Sequence, residues 1–118
     1  YRGWYELRNE DMGYLWEHFV LNEIFAHRQT RDIGYWRDKQ GHEIDFVINK
    51  RGRPLLAIEC KWRDKEFDPA NAKVFLRHYD KAQVYVVSHN VSHPYSHRYG
   101  DFTIKFIDLA GLENICKR

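Results

Sequence analysis

His42-Glu43-Ile44-Asp45-Phe46-Val47-Ile48-Asn49, then Lys50-Arg51-Gly52-Arg53-Pro54, then Leu55-Leu56-Ala57-Ile58-Glu59-Cys60-Lys61-Trp62 is the stretch on which the fold turns. Two apolar, β-branched runs flank a glycine- and proline-containing turn, the pattern of a β-hairpin. Each run carries carboxylates where apolar residues belong. A partly buried carboxylate is costly unless it is paired or binds a cation. Side chains two positions apart share a face of a strand. Glu43 and Asp45 are therefore expected on one face, with Ile44, Phe46 and Ile48 on the other. In the second run Glu59 and Lys61 share a face, and Ile58 and Cys60 share the opposite one. Pairing of the two strands places Asp45, Glu59 and Lys61 on one patch of sheet. Two hard oxygen ligands beside an ammonium suit a divalent cation on a phosphate.

Outward from the hairpin, residues 33–37 read as a short aromatic strand, followed by a turn at 38–41 in which Gly41 suits positive φ. Residues 10–28 read as a helix with Met12, Leu15, Trp16, Phe19, Val20 and Phe25 near helical spacing, and with Asn9 or Asp11 as its cap. Asp68-Pro69 is a helix-start signal for a segment reaching 79 or 80, with Val74, Phe75 and Tyr79 inward. Residues 83–88 form a continuous apolar run, the signature of a strand covered on both faces. Its link to the preceding strand through a helix makes a βαβ crossover. A histidine-rich loop is expected over 89–101, a strand over 102–107 and a short helix over 109–115.

The 118 residues fit one domain with one core. Hydrophobic residues at 43% and charged residues at 31% describe a folded, soluble protein rather than a disordered chain. A net charge of +2 neither requires nor excludes nucleic acid. Cys60 and Cys116 stand far apart, with no zinc spacing and no disulfide framework, which points to a reducing cytoplasm. No run is long and apolar enough for a membrane span. The chain opens at Tyr1, which suggests a fragment of a longer protein.

The order of these pieces resembles the PD-(D/E)xK, restriction-endonuclease-like superfamily. The matching residues are Glu17 within Tyr14-Leu15-Trp16-Glu17-His18-Phe19-Val20, Asp45 within the first strand of the hairpin, and Glu59-Cys60-Lys61. Tyr35-Trp36-Arg37 before the Asp45 strand narrows the likeness to the C-terminal domain found behind the motor of many bacterial and archaeal AAA-type ATPases. The resemblance implies an α/β fold: a restriction-endonuclease-like α-β-β-β-α-β-β sandwich around a mixed central sheet. It implies Asp45, Glu59 and the main-chain carbonyl of Cys60 as ligands of Mg2+ or Mn2+, with Glu17 reaching the ion directly or through water. Lys61 would orient the attacking water or offset charge on the phosphate. Ile44 stands where the name-giving proline would be. No Gly-x-x-x-x-Gly-Lys-Ser/Thr run is present, so an ATPase domain would lie N-terminal to residues 1–118. DNA is the implied substrate, and a homodimer is left open because many nucleases of that superfamily cut both strands as dimers.

Blander readings stand beside these. Glu59 and Lys61 also fit a same-face ion pair, and the whole unit a catalytically inactive module that binds DNA or a protein for the ATPase. Glu17 alone fits a solvated helix position, and Glu43 fits water at the strand's start better than a ligand role. Lys50, Arg51 and Arg53, with Arg63 and Lys65 after the next strand, fit either a solvated charge run or phosphate contacts; Arg63 and Lys65 are nearer the carboxylates. His89, His93 and His97 have helical spacing, but Asn90, Pro94 and the serines place them in a loop, where that spacing carries no geometry. Trp36, Trp62 and Tyr79 have faces that stack on bases, though core packing is the commoner fate of such rings. The aromatic segment 1–5 offers a route to self-association.

Overall fold

Strands joined by tight turns and interrupted by one helical crossover build a mixed sheet with helices on both faces. In the computed structural model, residues 9–27 and 33–117 are described, with side chains from 12 to 26 and from 33 to 116. The elements run α1 (Asn9–His27), β1 (Ile33–Arg37), β2 (Glu43–Ile48), β3 (Leu56–Cys60), a one-turn 3-10 helix (Asp64–Glu66), α2 (Ala70–His78), β4 (Gln83–Val87), β5 (Tyr95–Tyr99), β6 (Phe102–Ile107) and α3 (Leu109–Lys117). The sheet has six strands in the order β1-β2-β3-β4-β6-β5. β1, β2 and β3 form the expected antiparallel meander. β3, β4 and β6 run parallel, and β5 closes the far edge antiparallel to β6. The segment 1–5 and the side chains of Asn9 and Asp11 lie outside the described residues. Among the described residues no helix is long and apolar enough to cross a membrane.

The core has two halves. On one face, Trp16, Val20 and Ile24 of α1 pack with Phe46, Ile58, Cys60, Tyr85 and Val87, and with Leu112, Ile115 and Cys116 of α3. On the other, Ala72 and Phe75 of α2 cover Ile44, Ala57, Val84, Val86, Ile104 and Phe106. β4 contributes alternate residues to both halves, as its unbroken apolar run predicts. Both cysteines are free and buried. Phe75 is fully buried and meets Trp36 edge-on with centroids 5.3 Å apart. Truncating it leaves a cavity between α2 and the sheet; Phe75→Ala should cost about 3–5 kcal/mol, read as a lower urea midpoint.

Four expectations need correction. Leu15, Phe19 and Phe25 are exposed, while Ile24 is buried. α1 is apolar around most of its circumference, so spacing alone does not select the buried face. Tyr79 is exposed at the end of α2; Ala72 and Phe75 are the buried residues of that helix. The loop 89–101 contains β5, so the order is α-β-β-β-α-β-β-β, followed by the expected terminal helix α3. β5 is an edge strand of mostly exposed polar residues, and the alternation that marks a half-buried strand is absent from it. Its hairpin to β6 pairs Tyr99 with Phe102 across Gly100, whose φ of 64° suits glycine. Finally, Ile44 does not share a face with Phe46 and Ile48: it packs on the α2 side and they pack on the α1–α3 side. The register explains this. Trp36 pairs with Ile44 but Gly34 pairs with Val47, so β2 carries one extra residue, a bulge. Gly41 does adopt positive φ, at 91°.

Candidate metal and phosphate site

The bulge lies beside the place where β2 and β3 part. Their ladder pairs Ile48 with Leu56, Val47 with Ala57 and Phe46 with Ile58. The next pair in that register is Asp45 with Glu59, and there side chains replace the main-chain ladder. Asp45 N–H donates to Glu59 Oε1 at 3.1 Å, and Cys60 N–H donates to Asp45 Oδ2 at 2.8 Å. Each carboxylate thus holds the other strand's backbone across a widening fork. Among the described residues, the second oxygen of each accepts no hydrogen bond. β3 continues past the fork through Lys61 N–H, which donates to Val87 O at 3.2 Å.

Burial sets the electrostatics. Glu59 is only 3% exposed. Burial first, then the charge of Asp45, pushes its carboxyl up to about 8. Asp45 is also raised, chiefly by burial, with the Cys60 N–H and Lys61 acting against the shift. Burial raises the Cys60 thiol well above its ordinary range, with Asp45, Glu17 and Glu59 adding to the effect. Glu43 is exposed at the start of β2, and its charge adds to the upward push on Glu17, Asp45 and Glu59.

α1 brings Glu17 to this fork. The Trp16 indole N–H donates to Val87 O at 2.9 Å, which pins the helix over the end of β4. Glu17, the next residue, is half-buried and raised by burial and by Asp45. Glu17, Asp45, Cys60 and Lys61 line one open cleft with Gly13, Tyr14, Trp62 and Glu66. The fold thus gathers Glu17, Asp45, Glu59, Cys60 and Lys61 at one place. Among the described residues, no three His, Cys, Asp or Glu side chains stand close enough together in this arrangement to hold one metal ion.

Of the basic residues, Arg63 and Lys65 are exposed around the 3-10 helix that follows β3, with Arg63 N–H donating to Glu66 Oε1 at 2.9 Å. Arg51 and Arg53 sit in the β2–β3 turn, at the other end of the hairpin. Arg51 lies six residues beyond Asp45 and Arg53 six before Glu59, up to about 20 Å along the chain. Arg53 and Lys50 instead line a separate pocket with Gln83, Tyr85 and Ile115. His89 stacks on Trp62 with centroids 3.4 Å apart and its Nδ1 contacts Trp62 O, while His97 lies on β5. Trp36 packs against Phe75.

Sequence reasoning missed Tyr14 and Glu66 as walls of the cleft. The helical spacing of Tyr14 and Glu17, three residues apart, was the available signal for the first. It also missed the knot that fixes the 3-10 helix. Asp64 accepts from the Tyr95 hydroxyl at 2.5 Å and from Asn90 Nδ2 at 3.0 Å, and Asp64 N–H donates to Asn90 Oδ1 at 3.0 Å. That contact depends on the unforeseen β5.

The family designated DUF4143, a domain of unknown function, matches residues 12–110. The chain belongs to the DUF4143 family. The matched span of this DUF4143 domain includes Glu17, Asp45, Glu59 and Lys61. Two curated relatives, the uncharacterized proteins Mb2031c of Mycobacterium bovis and Rv2008c of Mycobacterium tuberculosis, are each 38% identical over 47 residues. That is 40% of this chain and 11% of each relative, so the match spans about a tenth of their length. The domain is also similar to a chain in a solved half-complex from a tetradecameric assembly of Thermococcus gammatolerans McrB AAA+ hexamers with bound McrC. The TM-score is 0.60 at 14% identity, covering 83% of this chain and 28% of that one. At that identity the likeness concerns the fold.

Proposed function

We propose that this DUF4143 domain is a metal-dependent, PD-(D/E)xK-type nuclease unit with restriction-endonuclease-like topology, hydrolysing DNA phosphodiester bonds beside an AAA-type ATPase. The observation that carries the reading is the fork at which Asp45 and Glu59 replace the sheet ladder. Buried Glu59 and half-buried Asp45 each hold the other strand's backbone N–H, and each keeps an oxygen free of hydrogen bonds among the described residues. Such a pair lowers its free energy by sharing a proton or a cation. The donor set suits a hard divalent ion, Mg2+ or Mn2+. Asp45, Glu59 and the Cys60 carbonyl would hold it, with Glu17 reaching it from α1. When bound, the ion would supply Lewis-acid stabilisation of phosphoryl charge and a water of lowered pKa.

The chain's own residues supply the rest. Lys61 would place an ammonium against the phosphate, where a fixed charge counts most as negative charge develops. Arg63 and Lys65 would hold neighbouring phosphates, while Arg51 and Arg53 lie too far along the hairpin to touch the same one. The McrB AAA+ hexamers of the similar assembly support an ATPase as partner.

A second reading, a catalytically inactive module, draws on one observation: the carboxylates already satisfy backbone N–H groups, and no three-ligand cluster is formed among the described residues. Magnesium-dependent cleavage of single-stranded, duplex and branched DNA decides between them. Asp45→Asn is the control, because its amide oxygen can keep the bond from Cys60 N–H. Cleavage by the wild type that the variant loses by more than about 100-fold supports the nuclease. Equal behaviour of the two in enzyme excess overturns it.

A further inference from the structure

The α1 wall of the cleft indicates the form of the substrate. Tyr14 is 66% exposed and lines the same cleft as Glu17, Asp45, Lys61 and Trp62. It lies one helical turn before Glu17, with Cβ atoms about 5–6 Å apart, so one nucleotide can touch both. Tyr14 and Trp62, the aromatic residues of the cleft among those described, differ in what they have free. Trp62 is stacked on His89 at an interplanar angle of 9° and meets Trp16 edge-on. Its ring is used in packing. Tyr14 meets only the exposed His18, at 64°, among the described rings.

Charge points the same way. Glu17, Asp45 and Glu66 line the cleft, with Glu59 and Glu43 adjacent, and the nearby cations among the described residues are Lys61, Arg63 and Lys65. Duplex DNA is gripped through many phosphate contacts from lysine and arginine. Among the described residues few cations stand among several acids here, and Arg51 and Arg53 are at the far end of the hairpin. A splayed single strand offers what this wall can use: a bare base face, which stacks on an aromatic ring whatever the sequence.

We infer that Tyr14 stacks on an unpaired base next to the phosphate that a cation at the Asp45–Glu59 fork would hold, which makes single-stranded or frayed DNA the substrate class. This rests on the nuclease reading. The test is equilibrium binding, in Ca2+, of oligonucleotides carrying 2-aminopurine, as a single strand and as the matching blunt duplex. Wild type and Tyr14→Phe should bind the single strand with quenched 2-aminopurine emission. Tyr14→Ala should bind it roughly 5- to 100-fold more weakly and without the quenching. The duplex should bind weakly and ignore the substitution. Because the side chain is exposed, Tyr14→Ala should unfold at the wild-type urea midpoint.

Undiminished single-strand binding by Tyr14→Ala overturns the inference, as does a duplex bound as tightly as the single strand. If magnesium-dependent cleavage then persists in the wild type and fails in Asp45→Asn, only the stacking falls and the nuclease reading stands. A wild type that neither binds nor cleaves either form overturns both.

Discussion

Glu59→Gln is expected to abolish manganese binding and, in the absence of metal, to make the domain more stable than the wild type above pH 8. The Glu59 carboxyl is held up to about 8 in the fold by burial and by Asp45, against 4.5 for the ordinary group. Between those values the native state keeps a proton that the unfolded chain releases. Stability therefore falls as pH rises through that window. Asp45 and Glu17, raised for the same leading reason, add to the fall. Asp38 and Asp64 are lowered by their hydrogen bonds, so their contribution is lost only under more acidic conditions. Glutamine carries no charge, and its carbonyl oxygen can keep the bond from Asp45 N–H. At pH 5 the variant and wild type should be alike. At pH 8.5 the variant should lead by on the order of a few kcal/mol in urea unfolding. Added Mn2+ should restore the wild type only, and more so at high pH, because the ion competes with the proton. A variant weaker than the wild type at pH 8.5 would mean that the carboxylate is satisfied as a charge within the fold.

Lys61→Met should lower cleavage by about 100- to 1000-fold while leaving Mn2+ affinity within a few-fold. The residue is half-buried at the wall of the cleft, and its backbone stays tied to β4 through the bond to Val87 O. Methionine keeps most of the aliphatic stem and removes the charge. Its effect on Asp45 and Glu59 acts through space, and among the described residues no close ion pair joins it to either. Manganese titration calorimetry beside single-turnover cleavage separates the outcomes. Unchanged cleavage removes Lys61 from the chemistry, and lost manganese binding makes its role structural.

The parts of the fold that announced themselves were those whose side chains obey one physical demand. β4 is covered on both faces and reads as an unbroken apolar run. Asp68-Pro69 starts α2, with Asp68 Oδ1 accepting from Ala70 N–H at 2.9 Å. β5 was hidden because backbone pairing with β6, rather than side-chain burial, holds it in place. The buried face of α1 was hidden because several of its exposed positions are apolar too. In the candidate site, the charged residues and their spacing were visible, and the fold brings them together. The bulge between Ile44 and Val47 was not visible, since an extra residue in one strand leaves no mark in composition or period. Nor could the separation of Arg51 from Arg63 be read before the length of the hairpin was fixed.

A crystal soaked in millimolar Mn2+, with anomalous scattering recorded at the manganese edge, addresses the fork directly. The expected result is one strong peak bounded by Asp45, Glu59 and the Cys60 carbonyl, absent from Glu59→Gln crystals treated alike. Wild-type crystals with no anomalous peak at those residues, and both carboxylates still holding only backbone N–H groups, would contradict a metal site there.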